Sequence, residues 1–217
     1  MAAARKFPGA DAFLPQRRTL PSLREAAETC RGCELYIHAT KTVFGEGTSQ
    51  ARVVFVGEQP GDQEDRAGRP FVGPAGGIFD RALAEVGISR SDSYVTNAVK
   101  HFSFEPRGKA RLHKRPRPGE VRACAPWLKA ELAAVRPDVL VLLGATAAQS
   151  IFGPRFLVSR ERGKPLASPL APLVIATIHP SAVLRSPDEA SRQEAFASLV
   201  EDLKIVATHL RTNAAVE

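Results

Sequence analysis

Four short apolar runs constrain this chain more than anything else in it: Arg52–Val56 (RVVFV), Tyr94–Val99 (YVTNAV), Asp138–Leu143 (DVLVLL) and Leu173–Ile178 (LVIATI). Each is rich in β-branched residues and nearly continuous, without the alternation of a strand that has one wet face. Such runs suit strands buried on both sides, as in a parallel sheet covered by helices. Helical patterns separate them. Pro74–Val86 spaces Ile78, Phe79, Ala82, Leu83 and Val86 along one face and stops at Gly87, a good C-terminal glycine. Further on, Ser186-Pro187-Asp188-Glu189 has the form of a capping box with proline at the first helical position. Phe196, Leu199, Val200, Leu203, Val206 and Leu210 follow it at helical spacing. The expectation is a three-layer α/β/α sandwich around a central four-stranded parallel sheet. A single domain over 1–217 is expected, with residues 1–21, punctuated by Pro8, Pro15 and Pro21, as a loosely held arm.

Ligands in such a fold sit beyond the carboxyl ends of the strands, so the residues after each run are the candidates. After the first comes GEQPGDQEDRAGRPFVGPAGG, glycine-rich but lacking both the Gly-Lys-Ser/Thr of a phosphate loop and the Gly-x-Gly-x-x-Gly of a dinucleotide turn. Gly57, Gly61 and Gly73 there let the backbone approach a ligand that Glu58, Gln59 and Phe71 face; a flexible turn is the competing explanation. The second run carries Asn97, whose amide must find partners if buried. The third ends in Gly144 and the fourth in His179, before a proline. A lone histidine is usually structural, but four strand ends converging on one crevice weaken that explanation.

The chain has 30 Lys and Arg against 23 Asp and Glu, a net charge of +7, which suits a polyanionic partner, nucleic acid first. The excess is concentrated: residues 100–122 hold eight Lys or Arg and two Glu, around the stretch GKARLHK. No run reaches the roughly 20 apolar residues of a membrane span and the start lacks a secretory signal, so a cytoplasmic protein with no membrane partner is expected. Three cysteines cannot form a full disulfide framework. Cys30 and Cys33 form a C-x-x-C pair, which is a redox motif, half a zinc site or part of an iron–sulfur site. Cys124, in a helical segment, and His101, just beyond the second run, are the further ligands at hand.

Taken together, GEQPGD, GRPFVGPAG, YVTNAVKHF and HPSAVL resemble, in order, the motifs of the uracil-DNA glycosylase superfamily, specifically family 4 and its covalently binding UdgX type. The resemblance runs from about Cys30 to Leu210. Two features point to the UdgX type: His101 where family 4 has cysteine, and the basic loop ending in His113, read here KARLH with Ala110 and Leu112 in place of an arginine and an isoleucine. The resemblance implies a structural four-iron, four-sulfur cluster on Cys30, Cys33, His101 and Cys124. It implies uracil-containing DNA, preferably single-stranded, as the partner of a monomer. On that footing Asn97 reads uracil N3–H and O4, and Phe71 faces the extruded ring. Lys109, Arg111 and Lys114 hold phosphate. His179 and the backbone N–H groups of the Gln59–Asp62 turn support the departing base, and Glu58 stabilises the sugar cation. His113, kept neutral by flanking Lys109, Arg111 and Lys114, captures the sugar as a nucleophile. A turning-over family 4 glycosylase, with His113 a mere DNA contact, is the nearest alternative; a non-enzymatic DNA-binding module with structural zinc is a more distant one.

Overall fold

The computed structural model describes residues 7–214. In chain order the regular elements are α1 (Leu20–Glu28), β1 (Glu46–Gly47), β2 (Val53–Gly57), α2 (Asp62–Ala67), α3 (Pro74–Val86), β3 (Ser93–Asn97), β4 (Phe104–Arg107), β5 (Ala110–His113), α4 (Pro118–Val135), β6 (Val139–Leu143), α5 (Ala145–Phe152), α6 (Val158–Glu161), β7 (Pro165–Leu166), β8 (Leu173–Thr177), α7 (Ser181–Leu184) and α8 (Glu189–Ala214), with short 3-10 turns at Ala10–Phe13 and Glu34–Ile37. All four apolar runs form strands, and β3, β2, β6 and β8 lie side by side in that order, all parallel. The sheet is wider than expected. Two antiparallel dipeptides, β1 on β3 and β7 on β8, extend it to six strands. Neither is long enough to leave a pattern in the sequence, and Pro165 is tolerated because an edge position asks nothing of its missing N–H.

Successive side chains serve opposite layers. Val53, Phe55, Val139, Val141 and Ile175 pack under Phe79 and Leu83 of α3 and Leu199, Leu203 and Val206 of α8. Val54, Val56, Leu140, Leu142 and Val174 meet Leu128 and Leu132 of α4 and Ala147 and Ala148 of α5. Every residue of the four central strands is buried, which is why the sequence shows no alternation. At about 1.5–3 kcal/mol for each large apolar side chain, this two-sided burial is the main source of stability. The scaffold is therefore rigid where β2 lies between β3 and β6, and connections leaving the strand ends diverge there, opening a crevice.

Three expectations need correction. Residues 9–21 are not a loose arm. Gly9 N–H donates to Gly32 O at 3.0 Å, and Ala10 is 1% exposed in a third apolar cluster with Leu23, Ala27, Trp127 and all three cysteines. Residues 1–6 of the expected arm lie outside the described residues. The last helix is capped by Asp188, whose carboxylate accepts from Ser191 N–H at 2.7 Å. Ser186 cannot serve, because its hydroxyl donates to Ala182 O at the end of α7. Third, the basic loop is an antiparallel hairpin, β4 against β5, pairing Phe104 with His113 and turning through Gly108 at φ 60°.

Candidate active site

The sheet's carboxyl edge delivers the candidate residues to one cavity of about 380 Å3, lined by Gln59, Gly61, Asp62, Phe71, Asn97, His113 and His179 among others. That volume lies within the range of small-ligand sites. Gly57 ends β2 beneath it. A Cβ there would collide with Asn97 Oδ1 and the Phe71 ring, so only glycine lets both reach this position. Asn97 is 2% exposed, yet no hydrogen bond to its side-chain amide is found among the described residues; its donor and acceptor are left to a ligand, and no protein contact fixes which way the amide points. Below it, the backbone is held firmly. Lys100 Nζ donates to Asn97 O at 2.7 Å, to Thr96 Oγ1 at 2.7 Å and to Glu131 Oε2 at 2.5 Å, while Tyr94 and Thr96 hydroxyls and Gly45 N–H satisfy Glu131 Oε1. Both charges are fully buried and fully partnered.

Phe71 pays for its placement in backbone strain, being a non-glycine residue at φ 54°. Arg90 donates to its carbonyl at 3.1 Å, and Gly76 passes so close to that carbonyl that a Cβ would not fit. The ring lies 5.9 Å from that of His179. His179 Nδ1 accepts from Ser181 N–H at 3.1 Å and pairs with Ser181 Oγ at 2.8 Å, and Arg185 donates to the same hydroxyl. With Nδ1 an acceptor, the ring proton sits on Nε2 and can be donated. Burial, with Arg185 and His113 adding to it, pushes this imidazole down to about 4, so it is a neutral donor at physiological pH.

Turn geometry alters one expected role. Glu64, 8% exposed, staples the β2–α3 connection by accepting from Gly61 N–H at 3.0 Å and Gly73 N–H at 2.7 Å. Gly61 N–H is thus consumed inside the protein and does not point at a departing base.

On the opposite wall the hairpin presents His113, its side chain 51% exposed. Gln59 holds it in place. Gln59 Oε1 accepts from Ser103 N–H at 2.9 Å and Nε2 donates to Ser103 O at 3.1 Å and Lys114 O at 3.0 Å, which fixes the amide. His113 Nε2 lies 2.9 Å from that same NH2 group, whose two protons are shared among the three contacts. Glu58 Oε1 stands 3.5 Å away. Arg111 is engaged elsewhere: its Nε meets Asp62 Oδ1 at 2.5 Å and an Nη meets Asp65 Oδ2 at 2.6 Å, over the faces of Phe102 and Phe104. It clamps the hairpin, which compensates for Ala110, and leaves Lys109 and Lys114 as the exposed cations of that stretch.

The sequence matches the family model of the Uracil DNA glycosylase superfamily over residues 44–204. It is 40% identical over 163 residues to a Type-4 uracil-DNA glycosylase of Thermotoga maritima, covering 75% of this chain and 81% of the relative. Relatives of the same name from Archaeoglobus fulgidus (39% over 182 residues, 81% and 88% covered) and Sulfurisphaera tokodaii (33% over 178 residues, 78% and 78%) agree. The chain belongs to the uracil-DNA glycosylase superfamily. The six-stranded sheet with its four parallel central strands is the fold of that superfamily.

A superfamily member resembling family 4 implies an iron–sulfur cluster, and the donors here suit one. Cys30, Cys33 and Cys124 are 7%, 8% and 4% exposed in one apolar cluster, and each sulfur accepts an N–H: from Trp127 at 3.2 Å, from the Leu35 backbone, and from Lys100 N at 3.3 Å. Burial pushes the Cys33 thiol up to about 11 and the Cys124 thiol up to about 12, so neither ionises in this apolar pocket unless a cation binds beside it. His101 is held by burial down at about 4, a neutral imidazole with one ring nitrogen on Thr42 at 2.9 Å, beside a cavity it shares with Cys30. Among the described residues no three His, Cys, Asp or Glu side chains close on one point, as a single tetrahedral ion demands. A multi-iron body takes its ligands from further apart.

Sequence reasoning missed several residues of this site. Ser181, which sets the His179 tautomer, stood inside the quoted HPSAVL and was readable from it. Asp65, Lys100 with Glu131, and Thr146 act across long separations and left no local signal. No described helix is long and apolar enough to cross a membrane.

Proposed function

We infer that this chain excises uracil from DNA and stays joined to the resulting sugar through His113, one uracil per protein molecule. Excision is supported by the superfamily membership and by the names of the relatives. Covalent retention rests on one observation: His113 Nε2 lies 2.9 Å from the Gln59 amide and 3.5 Å from the Glu58 carboxylate, in the wall of the cavity that holds Asn97 and Phe71.

An extruded uracil enters against Phe71, with the Asn97 amide offering an acceptor to N3–H and a donor to O4. As the bond between C1′ and the base N1 breaks, its electron pair leaves with uracil, and His179 Nε2–H donates to O2 where charge accumulates. Glu58 faces the cationic sugar. The His113 Nε2 lone pair then forms a bond to C1′, Nδ1–H is released, and uracil gains a proton; an N-alkylated imidazole is a poor leaving group, so the link persists. Lys109 and Lys114 supply phosphate contacts that weaken with salt. Cys30, Cys33, His101 and Cys124 would hold a four-iron, four-sulfur cluster, whose contribution is to tie the 3-10 segment to α4. Single-stranded DNA is the simpler substrate because no pairing energy is spent on extrusion, and a monomer suffices.

The test is a uracil-containing oligonucleotide mixed with the protein, boiled in detergent and run on a gel. A retarded adduct is expected from the wild type, none from His113→Ala, while that variant still releases uracil over many turnovers. Loss of all uracil release in His113→Ala would assign His113 to general catalysis and overturn the capture reading. The second reading, ordinary turnover, is favoured by the 51% exposure of His113, which leaves room for water.

A further inference from the structure

The Glu58 carboxylate has two oxygens with different duties. Oε1 faces His113 at 3.5 Å, and Oε2 accepts the hydroxyl of Thr146. Thr146 is 4% exposed in the first turn of α5, at the end of β6, so it reaches Glu58 across the crevice between the two strand ends. Its hydroxyl has no choice of direction, because Arg115 Nε donates to Thr146 Oγ1 at 3.1 Å and leaves the proton for Glu58. Arg115 is itself anchored: another of its nitrogens donates to Gln149 Oε1 at 2.8 Å. Gln149 Nε2 donates to Pro154 O at 3.3 Å and Phe156 O at 3.1 Å, which fixes that amide too. The chain of donors runs one way, from Arg115, held by Gln149, through Thr146 to Glu58.

Arg115 also lies two residues past His113, on the irregular connection from the hairpin to α4. One relay therefore registers both the carboxylate and the segment that carries the imidazole. A terminal carboxylate torsion is broad and nearly two-fold when nothing holds it. Released from Thr146, Glu58 would turn, drop its alignment with His113 and accept from a water, which it would activate as a base against the sugar cation.

We propose that Thr146 and Arg115 are positioning residues for Glu58 that set how often the sugar is captured by His113 rather than by water. The inference rests on the capture reading above. In capture, the bond from C1′ to uracil N1 breaks and one from C1′ to His113 Nε2 forms; in the competing route water adds to C1′ and gives its proton to Glu58, leaving a free abasic sugar.

The experiment measures, in one assay, released uracil, adduct and free abasic DNA for the whole chain and for Thr146→Val, Thr146→Ser and Arg115→Met. Thr146→Val is expected to lower the ratio of adduct to free abasic product about tenfold, the loss of one hydrogen bond to a charged group. Thr146→Ser should restore it, and Arg115→Met, which changes an exposed residue, should lower it several-fold; that variant decides the matter if Thr146→Val does not fold. An unchanged ratio in Arg115→Met and Thr146→Val, or an equal fall in Thr146→Ser, would overturn the inference while a wild-type adduct left the capture reading intact. A wild type that releases uracil with no adduct would remove the capture reading and this inference together.

Discussion

The two walls of the cavity are built differently. Asn97 stands at the end of a central strand, 2% exposed, above a buried Lys100–Glu131 pair that ties β3 to α4. His113 stands on a two-stranded hairpin outside the main sheet, 51% exposed, held by the side chains of Gln59 and, through Arg111, of Asp62 and Asp65. The Asn97 wall is thus inherited from the core, and cannot be disturbed without cost to the fold. His113 sits on an appendage whose placement depends on a few replaceable contacts. Recognition and capture should separate under mutation.

The largest expected effect lies on the recognition side. Lys100→Met leaves Glu131 charged, buried and short of its main partner, and should cost about 3–5 kcal/mol of unfolding free energy by urea denaturation. A cost below about 1 kcal/mol would mean that the pair is not the foundation of this wall. On the capture side, Arg111→Ala removes both carboxylate contacts of the clamp. Adduct yield should fall about tenfold with uracil release largely kept, while stability changes by only about 1–2 kcal/mol, because the buried Asp65 carboxylate keeps its bonds from Thr40 and Lys41 N–H. Parallel loss of release and adduct would erase the contrast between the walls.

The smallest effect concerns His179. Its folded value near 4 lies below the usual 6.5, so the unfolded chain binds the proton first as pH falls. The contribution is complete above about pH 6.5 and is lost as pH drops toward 4. Because the ring opens into the cavity, about 1 kcal/mol should disappear between roughly pH 6.5 and 5.5. His179→Asn should flatten that part of the profile; an equal slope in the variant would place the titration elsewhere.

The same contrast governs what could be read in advance. The four central strands and α3 were legible because burial on two faces and a 3.6-residue period write themselves into consecutive residues, and Gly87 marks its stop at φ 72°. Glu58, Gln59, Asn97 and His179 were legible as strand-end residues. The hairpin was not, since its strands are short and polar and Pro106 sits within one of them. Nor were Arg111's two carboxylates, 49 and 46 residues away, or Thr146, 88 residues from Glu58: a hydroxyl or a guanidinium names no partner until the chain has folded. The docking of residues 9–13 was hidden for the same reason, as prolines suggest looseness whereas Ala10 finds its pocket only against α4.

The most direct measurement is the intact mass of the denatured protein after reaction with a uracil-containing oligonucleotide. The account predicts a species equal to protein plus oligonucleotide minus uracil, formed to a plateau of one per protein and absent from His113→Ala. An unmodified polypeptide mass, with uracil continuing to rise past one equivalent, would contradict it.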